Sequence, residues 1–377
     1  MEIIIDGFVY ENQSNGGVSR IYSEIIPRIC ELSKDIQFTM LTAAPLKQSL
    51  PSHTRIHHIA RLGFHRLLPK KFFSNLRKDI RSVVLSKSFV FAPKKAIWHS
   101  TYFTLPYNWK GLNVLTVPDM IFELFPHLFS SLADGQLRVY KRKCIEKADA
   151  IICISRSAAD DLRSMYNFNE KKPIHVIPLA CADAFIQLSD VDVYYSPPTK
   201  KRFILYVGSR THYKNFNKLL KAYSMWELRN DVDLVVVGGK WLGDELNLIR
   251  DLNLEGNIHL LTMVTDKVLC YLYNLALAFV YPSLYEGFGL PLLEAMRCGC
   301  PIVASNIPTS VEVADGCAVY FDPRDLDNFI NALTTGVSLG RNSDQVRSGL
   351  VRSRIFSWDR CAKMTFDVYS DLLAGNQ

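Results

Sequence analysis

Two glutamates, Glu286 and Glu294, stand with seven residues between them in Tyr281-Pro-Ser-Leu-Tyr-Glu-Gly-Phe-Gly-Leu-Pro-Leu-Leu-Glu-Ala-Met296. Gly287 and Gly289 lack the side chains that keep a backbone away from a ligand. Pro291 suits the first turn of a helix, where its missing N–H costs nothing. A helix starting there offers free N–H groups and a positive dipole end, a natural seat for a phosphate. Glu286 and Glu294 flank this anion seat.

Such a segment needs a strand before it and a helix after it, and the rest of the chain repeats that alternation. Apolar or β-branched runs at Glu2–Ile5, Phe38–Leu41, Ala96–His99, Asn113–Val117, Ala150–Ile154 and His175–Ile177 read as one set of strands. A second set follows at Arg202–Val207, Asp233–Val237, Asn257–Leu260, Leu277–Tyr281, Pro301–Ala304 and Ala318–Phe321. Several are apolar throughout, as strands covered on both faces must be. Helical spacing marks Ser19–Leu32, Ser157–Met165, Phe216–Met225 and Pro291–Met296. The pattern predicts an α/β protein with two doubly wound, Rossmann-like domains. Residues 1–185 form the first, 186–201 a linker around Ser196-Pro-Pro-Thr-Lys-Lys201, 202–350 the second, and 351–377 a closing helix. Open sheets of this type bind ligands beyond the carboxyl ends of their strands, so the default site is a cleft between the two domains.

Taken together, the segments resemble the retaining glycosyltransferases of family four, with the GT-B fold, whose signature is two glutamates at this spacing. Asn15-Gly-Gly-Val-Ser-Arg20 is similar to the family's glycine-rich loop, and Tyr206-Val-Gly-Ser-Arg-Thr-His-Tyr-Lys-Asn215 to its phosphate-contacting turn. Ala148–Ser155, Val176-Ile-Pro-Leu179 and Cys298–Ser305 continue the likeness over nearly the whole chain. The resemblance implies that Glu294 holds the donor ribose. It places Glu286 beside the donor sugar, ringed by the backbone amides of Gly287, Phe288, Gly289 and Leu290. Arg210 and Lys214, on the turn opened by Gly208, would neutralise the departing diphosphate, and Gly16 and Gly17 would face it from the first domain. Charge-assisted hydrogen bonds of this kind strengthen as the leaving group gains charge. Family members extend lipopolysaccharide and lipid-linked glycans, and the Asp119 and Tyr213-Lys-Asn215 segments resemble those of bacterial mannosyltransferases of O-antigen or exopolysaccharide assembly. GDP-mannose is the first donor to test, with UDP-sugars open. A silent nucleotide-binding scaffold and a hydrolysing sugar-nucleotide epimerase are the alternatives.

The chain departs from that family in Thr116-Val-Pro-Asp-Met-Ile-Phe-Glu-Leu-Phe-Pro126, where Pro118 stands in place of a histidine. Proline accepts no proton. Either Asp119 takes the polar role at the acceptor hydroxyl, or the donor phosphate is the base and Asp119 caps a turn. His99 and Glu123 are further acceptor-side candidates. The matches Asp190-Val-Asp192 and Asp231-Val-Asp233 fall in a linker and before a strand, at the wrong end for a ligand, and are expected to be solvated. No metal and no other cofactor is expected.

The charge is uneven. The formal +7 of the 377 residues is concentrated between 61 and 95, where ten basic residues face one acid, Asp79. Phe72, Phe73, Leu76, Ile80, Val83 and Val84 recur there at helical spacing beside Lys70, Lys71, Arg77 and Lys78, a pattern suited to an anionic membrane surface or to a helix on the sheet. No nucleic-acid-binding module is recognisable. The nine cysteines include no C-x-x-C pair, the first residues resemble no signal peptide, and no apolar run approaches the 18 residues of a membrane span. The expected setting is the cytoplasm, peripheral to the inner membrane face, with a nucleotide-sugar donor and a glycan or polyprenyl-linked acceptor as partners.

Overall fold

The computed structural model describes residues 1–13, 16–60, 95–166, 172–189 and 197–375, apart from the side chains of residues 132 and 133. The basic stretch 61–95 lies outside the described residues except for Lys95, as do Asn15 and the Asp190–Asp192 match. Two compact units form, one from Met1–Leu179 with Ser357–Gln377, the other from Ala180–Phe356.

The first unit carries β1 (Glu2–Asp6), β2 (Gln37–Thr42), β3 (Ile56–Ala60), β4 (Ile97–Ser100), β5 (Leu112–Val117), β6 (Ala150–Cys153) and β7 (Ile174–Val176). They form one parallel sheet in the order β3-β2-β1-β4-β5-β6-β7. β3, Ile56-His-His-Ile-Ala60, is not among the expected strands. It is a partly exposed edge strand whose two histidines dilute the apolar run. The last helix, Trp358–Ala374, belongs here rather than to the second unit. It packs on the helix Gly17–Leu32, and Tyr369 reaches the core through His99.

The second unit carries β8 (Arg202–Val207), β9 (Val232–Val237), β10 (Ile258–Leu261), β11 (Ala278–Tyr281), β12 (Ile302–Ser305) and β13 (Val319–Phe321), again parallel, in the order β10-β9-β8-β11-β12-β13. β9 is buried at every position, as its Leu234-Val-Val-Val237 run requires. Phe216, Trp226, Phe321, Phe329 and Leu333 fill the layer between sheet and helices. Each such side chain contributes roughly 1.5–3 kcal/mol on burial. Residues 180–189 pack with this unit instead of closing the first. Asn274 ties them down, accepting from the Leu188 N–H and donating to the Ile186 carbonyl.

Asp233 corrects an expectation. It is not solvated but 2% exposed, where its Oδ2 accepts from Thr199 (2.6 Å) and pairs with His259 (2.8 Å), with Lys201 at 3.4 Å from Oδ1. These partners hold the carboxyl below its ordinary range against the cost of burial. Asp231 is exposed as expected. All nine cysteines are buried, and none forms a disulfide.

Candidate active site

In the second sheet the strand order reverses between β8 and β11, and the loops leaving their carboxyl ends flank the resulting crevice. After β8 the chain turns at Gly208, whose φ of 138° excludes most side chains, and a short helical turn His212–Lys214 follows. Asn215, in the left-handed conformation, opens the helix Phe216–Met225. After β11 the chain runs through Pro282–Gly289 into the helix Leu290–Arg297, with Gly289 at φ 113° and Pro291 in the first turn. One backbone bond joins the two loops, from the Leu284 N–H to the Tyr213 carbonyl at 2.7 Å.

That bond sets Lys214 beside Glu286. Lys214 Nζ donates to both Glu286 oxygens, at 2.7 and 2.9 Å, and the Ser283 hydroxyl donates to Oε1 at 2.6 Å. Thr309 holds the Glu286 carbonyl at 2.7 Å. Both charged side chains keep some exposure, 18% for Lys214 and 11% for Glu286, so the pair is reachable from outside. Phe288 contributes differently. Its ring is buried against Phe356, which leaves its backbone as the part a ligand could meet. Glu294 sits in the next helix, 6% exposed, with the Tyr273 hydroxyl donating to Oε2 at 3.0 Å. Burial and that carboxylate raise the Tyr273 hydroxyl well above its ordinary range, so it stays a donor.

Arg210 is held by groups that the sequence did not single out. Its Nε and Nη2 donate to the two oxygens of Glu245 at 2.8 and 3.0 Å, and Nη2 also reaches the Lys240 carbonyl at 2.7 Å. The guanidinium lies over the Trp241 ring, 4.6 Å from its centroid. Glu245 meanwhile accepts from the Leu242 N–H at 2.8 Å at the start of the helix Gly243–Asp251. An acid three residues after a helix's opening residue is a recognisable capping signal, and it could have drawn attention to Glu245.

In the first unit the order reverses between β1 and β4. Gly16 and Gly17 open the helix Gly17–Leu32, Gly16 in extended conformation with its carbonyl accepting from Ser19. The turn after β1 is fixed by Asp6, fully buried, which accepts from the Phe8 and Thr101 N–H groups and the Thr101 and Thr104 hydroxyls. Asp119 follows β5 and accepts from the Ile121 N–H at 3.1 Å, the turn-capping arrangement. Beneath it lies Lys141, which sequence reasoning passed over. It is fully buried, donating to the Asp119 carbonyl (2.7 Å) and to Glu123 Oε2 (2.8 Å).

Glu123 pairs with Lys141 and keeps 12% exposure, much as Glu286 does beside Lys214. The acceptor-side candidate that is corrected is His99. His99 is 1% exposed, with Nδ1 at 2.6 Å from the Tyr369 hydroxyl and Nε2 at 2.8 Å from the Thr116 hydroxyl, and burial pushes its pKa down to about 3. It is a neutral core histidine.

The profile of the family described as glycosyl transferases group 1 matches residues 194–343. O-antigen chain mannosyltransferase B of Escherichia coli is 31% identical over 291 residues, 73% of this chain and 74% of that protein. The chain belongs to the group 1 glycosyltransferases. The serotype-specific mannosyltransferase WbdA of Escherichia coli is also 31% identical, over 246 residues, and there the match spans 30% of the relative's length. Among solved structures, sucrose-phosphate synthase from Thermosynechococcus elongatus superposes with a TM-score of 0.75 at 18% identity over the whole of both chains. WaaG, a glycosyltransferase involved in lipopolysaccharide biosynthesis, gives 0.74 at 14% identity over 98% of this chain and 99% of its own. Both share the two-domain parallel-sheet fold. In this glycosyltransferase no described helix is long and apolar enough to cross a membrane, and no described group of His, Cys, Asp and Glu side chains could hold a metal ion.

Proposed function

We propose that this glycosyltransferase is a retaining α-mannosyltransferase of surface-polysaccharide assembly, taking its sugar from GDP-mannose and passing it to a glycan or polyprenyl-linked glycan. The observation that carries the reading is the Lys214–Glu286 pair at the switch point of the second sheet, a cation and a sugar-reading carboxylate on adjoining loops. The names of the mannosyltransferase relatives support mannose.

In this reading the acceptor hydroxyl oxygen bonds to the donor's anomeric carbon as the bond from that carbon to phosphate breaks. The electron pair leaves on the β-phosphate oxygen, whose growing charge Lys214 and Arg210 meet in place of a metal ion. The hydroxyl proton passes to Asp119 or to the departing phosphate on the same face. Glu286 orients the sugar hydroxyls, Glu294 the ribose, and the amides of Gly287–Leu290 the sugar and phosphate. The basic stretch 61–95 would bring the enzyme to an anionic membrane carrying the acceptor; vesicle co-sedimentation tests that claim separately.

Incubation with GDP-, UDP- and ADP-sugars and a mannan oligosaccharide, with the anomeric configuration read by NMR, tests the proposal. Transfer with retention from GDP-mannose, insensitive to EDTA and abolished in Glu294→Ala, supports it. Transfer from a UDP-sugar alone overturns the donor, and sugar release without acceptor points to a hydrolysing epimerase.

A further inference from the structure

The donors of Arg210 can be accounted for one by one. A guanidinium has five N–H groups, one on Nε and two on each terminal nitrogen. The Nε–H and one Nη2–H go to the two oxygens of Glu245, and the other Nη2–H to the Lys240 carbonyl. Three are therefore spent inside the protein. Both groups on Nη1 are left, and Nη1 is buried with no hydrogen-bond partner among the described residues. The side chain as a whole is only 4% exposed.

A buried, unpaired N–H is costly and calls for an explanation. The surroundings of Nη1 point to one. A Cβ placed on Gly238 would stand 2.8 Å from Nη1 and 2.6 Å from the Gly208 carbonyl, so any side chain at 238 would crowd the nitrogen. Cβ positions at Gly208 and Gly239 meet nothing within 4 Å, which leaves open space at the carboxyl ends of β8 and β9. Gly238, having no side chain, leaves Nη1 of this fixed cation uncrowded.

We propose that Glu245 is a positioning residue for the donor. By gripping the Nε/Nη2 edge of Arg210 on the face of Trp241, it presents Nη1 alone, in fixed orientation, to an oxygen of the nucleotide's diphosphate. The inference rests on the donor reading above and adds to it the residue through which Arg210 acts. An arginine fork held on one edge has lost its rotamer freedom before the ligand arrives, so less entropy opposes binding. Glu245 is itself anchored by the Leu242 N–H, which ties the grip to the start of a helix.

A competing role gives the opposite sign. If Glu245 merely occupied Arg210, removing its charge would free the cation and tighten anion binding. Calorimetric titration of the full-length protein separates the two. Wild type is titrated with GDP, UDP and ADP, and the tightest is compared with its own nucleoside in Glu245→Gln, which keeps an oxygen for Leu242. The expected result is a loss of at least about tenfold for the diphosphate, the worth of one charge-assisted hydrogen bond, with nucleoside affinity unchanged. Arg210→Lys should show the same selective loss, and the double variant no further one. Diphosphate binding that is tighter or unchanged in Glu245→Gln, or an equal fall for the nucleoside, overturns the proposal. Should Glu245→Gln fail to melt cooperatively, Glu245→Asp, which keeps the charge but withdraws it from the fork, is read in the same way. A folded wild type that binds none of the three diphosphates overturns the donor reading itself.

Discussion

Lys214 donates to both oxygens of Glu286 across 72 residues of sequence, held there by the backbone bond between Tyr213 and Leu284. Without ligand, each charge of the pair satisfies the other. A diphosphate beside Lys214 would draw the ammonium toward itself and free a Glu286 oxygen for a sugar hydroxyl, so donor binding and sugar orientation are linked through one contact. Glu286→Gln keeps an oxygen to accept from Ser283 but loses the charge. The expected outcome is a fall in kcat of about 10²-fold with a smaller change in donor affinity. Lys214→Met should raise donor KM as well, because it removes the cation from both ground and transition state. Steady-state kinetics against donor concentration check the split, and equal effects on KM alone would oppose it.

Asp119 is the proposed acceptor of the hydroxyl proton, and its Oδ1 already caps the Ile121 N–H. Asp119→Asn preserves that acceptor and with it the turn. If the carboxylate takes the proton, kcat falls by about 10²–10⁴-fold while the melting temperature holds. If the donor phosphate is the base, most of the activity survives. The rate ratio and one melting curve decide between them.

Much of this layout was legible in the sequence because it rests on local signals. Strands buried on both faces read as unbroken apolar runs, and every strand expected from such a run is present. The glycines before helices and the spacing from Glu286 to Glu294 were equally plain. β3 was missed because an edge strand with Ile56-His-His-Ile-Ala60 carries no such run. Long-range pairing was invisible for a different reason. Nothing near Arg210 announces Glu245, and nothing near His99 announces Tyr369, since each pair meets only after the sheet has ordered its strands. Asp233 looked like a solvated match at a strand start, but burial against Thr199 and His259 is decided by chain segments far away.

Lys141 tests how much the turn after β5 depends on buried charge. Its ammonium is fully buried, bonded to the Asp119 carbonyl and Glu123, and lies 5.3 Å from the Phe103 ring centroid. Removing one partner of a buried pair strands the other, at a cost of roughly 3–5 kcal/mol. Lys141→Met should therefore destabilise the first unit by about that amount. The double variant Lys141→Met, Glu123→Leu should recover much of it, because neither charge is then left alone. Urea unfolding of the wild type, both single variants and the double variant measures these numbers, and additive losses would show that the pair does not act as one.

His99 makes the stability of the first unit depend on pH with a predictable sign. Burial drops its pKa to about 3 from an ordinary 6.5, while both ring nitrogens stay paired with Tyr369 and Thr116. Between those two values the unfolded chain holds a proton that the folded protein refuses, so acid favours unfolding. The contribution is intact above pH 6.5 and is lost as pH falls toward 3, at about 1.4 kcal/mol per pH unit. His99→Gln removes the titration and leaves an amide to bond the same two hydroxyls. The wild type should exceed the variant in unfolding free energy near pH 7.5, and that advantage should shrink by about 2 kcal/mol by pH 5. Urea titrations of both proteins at the two pH values supply the comparison, and parallel pH profiles would show that His99 is not a buried neutral residue in solution.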